Sequence, residues 1–250
     1  MVPQISMLAS CCYPACMTFP AALPHGTVNE VAQGVYCVRG SFQMGPGIKI
    51  GRTMTVVRGN DGLVVLNAIR LSDSAQQELD ALGPVKHLVK LSDSHFIDEP
   101  FYAERYELTV WTLPGAKLKD LRSDRTLGDE HPIEAGVVID IDAAQGWREA
   151  AYWTPHGSGT LVTCDAIQNH VDSEGNNFMG GLMASLMGFK GGVAVPPMWR
   201  KFQKLKGAAV AQALAGLTEH TYANLVTGHG PHVAGGADAK VKAAIERASI

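Results

Sequence analysis

The tightest constraint on this chain is that its apolar runs are short, strand-like and end abruptly in polar chemistry. Residues 85–91 stop at Ser92-Asp93-Ser94-His95, residues 160–163 stop at Cys164-Asp165, and residues 222–227 stop at Gly228-His229-Gly230. Runs of this length, bounded by turn residues, suit strands better than helices. In open α/β sheets, ligands sit outside the carboxyl ends of strands, so these terminations are where function is expected.

The remaining segments say how such strands are joined. Residues 31–42 alternate small or apolar with polar side chains, as one half-buried strand does, and Gly45-Pro46-Gly47 follows as a loop. Residues 53–58 and 63–69 flank Gly59-Asn60-Asp61-Gly62, which predicts a hairpin. Ser72 or Asp73 starts a helix running to Leu82, with Ala75, Leu79 and Leu82 on one face and Gly83-Pro84 as its stop. A short helix is expected over 99–106, with Pro100 in its first turn, where a missing N–H costs least.

Strands are expected over 108–113, 135–141 and 149–154, helices over 207–217 and 237–248. Met179, Leu182, Met183, Leu186 and Met187 fall at helical spacing before Pro196-Pro197. That stripe reads first as a core-facing helix and second as a lid lining a substrate site with Met183 and Met187. Strands punctuated by helices, with hairpins in both halves, predict an α/β (α+β) fold layered as an αββα sandwich.

At 250 residues and 46% hydrophobic, the chain can bury one large core, expected over residues 27–250 as a single domain. Residues 1–26 read as a leader outside it, without the positively charged start of an export signal. A formal charge of −3, spread along the chain, provides no broad basic footprint for nucleic acid. No apolar run approaches the roughly 20 residues of a membrane span. Cys11, Cys12, Cys16, Cys37 and Cys164 form neither a disulfide framework nor paired metal knuckles, so reduced thiols in a cytoplasm are expected. The expected partner is a small molecule.

The strand ends supply the chemistry. His95 with Asp93 and Asp98, then Asp165, then His229 offer imidazole and carboxylate donors suited to Zn, Mn or Fe. An ion so held would support Lewis-acid hydrolysis, with Asp98 or Asp93 orienting the water as general base if not a ligand. A purely structural alternative has His95 and Asp98 capping the next helix and pairing with Arg105, and His229 bonded inside a Gly-rich turn. His170 reads either as an exposed loop residue or as a substrate group at the same rim, and Cys164 as a small buried strand residue. Lys190, Arg200, Lys201, Lys204 and Lys206 read first as a solvated face and second as a contact for an anionic substrate.

Gly159-Thr160-Leu161-Val162-Thr163-Cys164-Asp165 resembles the Gly-Thr-Leu strand ending on Asp in the metallo-β-lactamase superfamily, and Gly228-His229-Gly230 resembles its late Gly-His-Gly loop. The resemblance covers residues 30–248 and implies a four-layer αββα sandwich and a metal-dependent hydrolase, here with an eroded single-ion site. Against the superfamily's His-x-His-x-Asp-His motif, His95 is retained, Asp93 and Asp98 replace histidines, and Ile97 replaces the Asp. The segment looks similar to a divergent branch in which a His and acids precede Pro-Phe-Tyr-x-x-Arg-Tyr, here Pro100 to Tyr106. Carried over by position, the resemblance implies His95, Asp165 and His229 as ligands with Asp98 fourth. A superfamily histidine expected between the main motif and Asp165 has only His131 and His156 as candidates. A non-catalytic binding or structural member of the same fold is the competing reading.

Overall fold

The computed structural model describes residues 19–141, 146–189 and 191–250. In chain order the strands and helices are β1 (Asn29–Ala32), β2 (Val35–Gly45), β3 (Ile48–Arg58), β4 (Leu63–Leu66), α1 (Asp73–Leu82), β5 (Val85–Lys90), α2 (Glu99–Arg105) and β6 (Thr109–Thr112). They continue as β7 (Arg125–Thr126), β8 (Val137–Asp140), β9 (Ala150–Thr154), β10 (Thr160–Thr163), β11 (Gln168–His170), α3 (Phe178–Leu186) and β12 (Gly192–Ala194). The chain closes with α4 (Pro197–Phe202), α5 (Ala208–Ala213), β13 (Asn224–Thr227), β14 (Val233–Ala234) and α6 (Ala237–Ala248).

Two sheets face each other. One has the order β1-β2-β3-β4-β5-β6-β7 and the other β14-β13-β10-β9-β8, with β11-β12 as a small separate pair. Strand alternation sends neighbouring side chains to opposite faces, and the core follows that rule. Val57, Leu66, Val89, Val162 and Val226 fill the space between the sheets. Their neighbours Val56, Val65 and Leu88 turn outward beneath Leu79 of α1 and Tyr102 of α2. On the far side Leu161 and Leu225 pack with Val241 and Ile245 of α6. Helix, sheet, sheet and helix make the four layers of an αββα sandwich.

The segment 31–42 is a hairpin and not one strand. Gln33-Gly34 turns the chain between β1 and β2, with Gly34 at φ +75°, where a Cβ would stand 2.6 Å from the His156 ring. The Gly59–Gly62 hairpin joins β3 to β4 as expected, and the helices at 73–82 and 237–248 form over those bounds. Cys37 and Cys164 are buried free thiols. Residues 1–18 of the expected leader, with Cys11, Cys12 and Cys16, and Lys190 lie outside the described residues. Within 19–26 the chain already touches the sheet and its helices: the Gly26 N–H donates to the Arg39 carbonyl at 2.7 Å, and His25 Nε2 accepts from the Ser72 N–H at 2.8 Å. No described helix is long and apolar enough to cross a membrane.

The core-facing reading of the Met-rich helix is overturned. On α3 only Gly180 is buried, while Phe178 and Leu186 are more than 80% exposed. The helix is apolar on two sides, and helical spacing alone does not say which side meets protein. One side carries the Phe178, Leu182 and Leu186 stripe outward; the other turns Met183 and Met187 toward a cavity.

Three strand ends determine where the site lies. β10 and β13 run parallel with Thr163 opposite Thr227, so Asp165 and His229, each two residues on, emerge side by side. β5 of the other sheet ends at the same rim and delivers His95.

Candidate metal centre

His95, Asp165 and His229 meet. His95 Nε2 lies 3.2 Å from His229 Nε2 and 3.3 Å from Asp165 Oδ1, and His229 Nε2 lies 3.2 Å from that same oxygen. Donors bound about 2.0–2.1 Å from a tetrahedral ion stand roughly 3.4 Å apart, so this triangle has the size of one coordination face.

The outer atoms of the three side chains are held as a metal site requires. His229 Nδ1 donates to the Gly51 carbonyl at 2.7 Å, which leaves the Nε2 lone pair facing the triangle. His95 Nδ1 sits 3.2 Å from Cys164 Sγ, and Asp165 Oδ2 accepts from the Ser94 hydroxyl at 2.6 Å. Burial, reinforced by the Arg52 guanidinium, pushes the His95 imidazole down to about 3, so it is neutral near pH 7. Burial opposes ionisation of Asp165, but the two imidazoles against it hold its carboxyl well below the usual range. The Asp165 carboxylate and the Nε2 atoms of His95 and His229 thus converge on one point. The three donor atoms lie close enough together that one metal ion could be held by all of them.

Local structure fixes this arrangement. His95 has φ +53°, a left-handed conformation that costs a non-glycine residue about 1 kcal/mol or more. The buried Lys90 ammonium stabilises the turn by donating to the Ser94 and His95 carbonyls at 2.8 and 3.0 Å. Beyond β13, the Gly228 N–H donates to the Thr163 carbonyl and the Asn169 N–H to the His229 carbonyl. At Gly230 (φ +97°), a Cβ would fall 1.7 Å from the Asn169 oxygen, so this loop requires glycine.

Glu149, 2% exposed, was not among the residues expected to matter. Its Oε1 accepts the Asp165 and Ala166 N–H groups, both at 2.7 Å, and its Oε2 accepts the Trp199 indole N–H at 2.8 Å. Burial, then the charge of Asp165, pushes its carboxyl up to about 8. Alanine there would orphan three buried donors at about 1–3 kcal/mol each, partly offset by removal of a desolvated acid. A net loss of about 3 kcal/mol should lower Tm by roughly 6–12 °C in a scan of the chain, with Glu149→Gln losing less.

The other expected residues lie elsewhere. Neither Asp93 nor Asp98 belongs to the cluster of donor atoms within 4.8 Å of one another. Asp93 accepts the Lys117 and Arg148 N–H groups at 2.7 and 3.1 Å. Asp98 is buried at the start of α2 without making a cap hydrogen bond; burial raises its carboxyl against the pull of Arg52 and Arg70. The expected pairing with Arg105 is absent too, since Arg105 meets Asp80 at 3.3 Å. His131 and His156 bond to Tyr152 and the Thr154 hydroxyl, away from the triangle. His170 is half-buried, stacked on Phe189, and on the wall of the cavity beside the triangle; burial and His229 push it down to about 4.

That cavity, of about 400 Å³, opens directly over the three donors. Its walls include Phe42, Phe96, Trp147, Met183, Met187 and Met198.

No protein-family profile and no curated protein sequence matches the chain. Solved structures do. DIM-1 metallo-β-lactamase exposed to ceftazidime superposes with a TM-score of 0.58 at 13% identity, covering 92% of this chain and 100% of that one. FIM-1 metallo-β-lactamase from Pseudomonas aeruginosa, in its mono-zinc form, gives 0.55 at 17% identity, covering 92% and 99%. A metallo-β-lactamase from Erythrobacter litoralis gives 0.53 at 12%, covering 92% and 93%. The chain has the metallo-β-lactamase fold.

Proposed function

We propose that this chain of metallo-β-lactamase fold is a hydrolase working with one divalent ion held by His95, Asp165 and His229. The observation that carries the reading is the triangle of donor atoms with edges of 3.2–3.3 Å at the floor of a cavity. Two imidazoles and one carboxylate form a donor set suited to zinc, with manganese and iron as further candidates. Bound there, such an ion supplies Lewis acidity and a water made acidic enough to attack near neutral pH.

The chain's own residues supply the rest. Gly51, Cys164 and Ser94 orient the three ligands, and the apolar walls exclude bulk water from the reacting bond. With Asp93 and Asp98 committed elsewhere, His170 takes the acid–base role. Its imidazole is neutral near pH 7 and stands on the cavity wall.

Protein purified without chelator should retain close to one zinc, manganese or iron ion per chain by elemental analysis. Hydrolysis of a panel of neutral esters and lactones should stop on chelation and return with zinc. A chain that takes up no ion under any reconstitution condition overturns the reading. An ion retained with no turnover across the panel would assign a binding role to the same site.

A further inference from the structure

Of the methionines at described positions (44, 54, 179, 183, 187 and 198), four line the one cavity over the donor triangle: Met44, Met183, Met187 and Met198. Thioether side chains are unbranched and adaptable, and line sites that accept flexible apolar groups. Phe42, Phe96 and Phe189 line it too, and Gln43, Gln168 and Asn176 are among its polar lining residues. The described cations in the lining are already matched. Arg39 at the mouth pairs with Asp172 at 2.7 Å and with Glu174, and Arg52 at the floor pairs with Glu99 at 3.2 Å. Each already faces a carboxylate, and of their buried side-chain nitrogens only the Nε of Arg52 is left without a hydrogen-bond partner.

From this lining we infer that the substrate is a neutral amphiphile, an ester, lactone or amide whose acyl part is an extended hydrocarbon chain lying along Met183, Met187 and Met198. The inference rests on the hydrolase reading for the carbonyl at the triangle, and on the cavity alone for the chain. Hydrolysis would break the acyl C–O or C–N bond, with water supplying the hydroxyl of the acid product and the proton of the leaving alcohol or amine. A volume of about 400 Å³ is within the range of small-molecule sites and accommodates a medium-length chain.

The test uses alkan-2-ones, which present the carbonyl and chain but have no bond to hydrolyse, titrated calorimetrically from hexan-2-one to decan-2-one. Each buried methylene, at about 0.8 kcal/mol, should tighten binding about fourfold, with the same slope in zinc-loaded and chelated protein. Decan-2-one should lose at least an order of magnitude in affinity when its far end carries a carboxylate, as 9-oxodecanoate, and also on Met187→Glu. Met187 lies on the partly exposed wall, and Met183→Gln provides a second, milder variant. A flat series in both metal states, or 9-oxodecanoate binding as well as decan-2-one, overturns the inference whatever the metal analysis finds. A steep series in a chain that never takes up an ion upholds the chain-binding cavity and removes the hydrolase reading.

Discussion

Replacing Asp165 by alanine should lower zinc affinity by more than about 100-fold, measured by competition with a chromophoric chelator. The size follows from the geometry. Altering a group that merely orients a ligand typically costs 10–100-fold, and Asp165 is the only carboxylate in the triangle and touches both imidazoles. Asp165→Asn keeps the shape and a carbonyl oxygen for the Ser94 hydroxyl but loses the charge, and should fall between wild type and Asp165→Ala. Ser94→Ala, which removes the 2.6 Å bond to Asp165 Oδ2, should cost about 10-fold. Equal zinc affinity across wild type and the Asp165 variants would sink the assignment of the site. A loss in Ser94→Ala greater than in Asp165→Ala would show that the loop, and not the donor set, governs binding.

Arg52→Ala should destabilise the fold by about 3–5 kcal/mol, or roughly 10 °C in Tm. Arg52 and Glu99 are 2% and 3% exposed, so truncating the arginine leaves a carboxylate buried without its main partner. Replacing both by apolar residues, Arg52→Met with Glu99→Leu, should recover most of the loss, because no uncompensated charge remains. The effect has a pH signature. Burial already raises the Glu99 carboxyl above its ordinary 4.5, with Arg52 and Lys90 opposing, and removing Arg52 raises it further. An acid whose folded-state value exceeds its unfolded value destabilises as pH rises past the unfolded value. The deficit of Arg52→Ala should therefore be small near pH 4 and grow toward pH 8 in denaturant titrations. A deficit independent of pH would show that packing, not charge, is what Arg52 contributes.

The part of this architecture legible in the sequence is the part written locally. Strand ends at Thr163 and Thr227, the α6 bounds and the Gly59–Gly62 hairpin follow from short-range pattern and turn chemistry. The triangle was legible because each of its members lies within five residues of a strand end. Asp93 and Asp98 were misplaced because chain spacing does not say which way a loop turns. Asp93 turns to the Lys117 and Arg148 N–H groups, and Asp98 is buried at the start of α2. Glu149 and Arg52 went unnoticed because their partners lie 16 and 47 residues away. A signal did exist for Arg52, a charge placed directly before the Thr53–Val57 stretch that β3 buries. For α3, apolar periodicity was read correctly as a helix and wrongly as core, since the pattern carries no record of which side meets a cavity.

The two backbone N–H groups held by Asp93 bear on how this site could change. Asp93 stands where the motif it resembles has a histidine, and its carboxylate ties the loops at Lys117 and Arg148 together. Replacing it by histidine would offer one nitrogen and release two loop anchors at once. A histidine placed at position 93 therefore costs loop stability before it can add a donor beside the triangle.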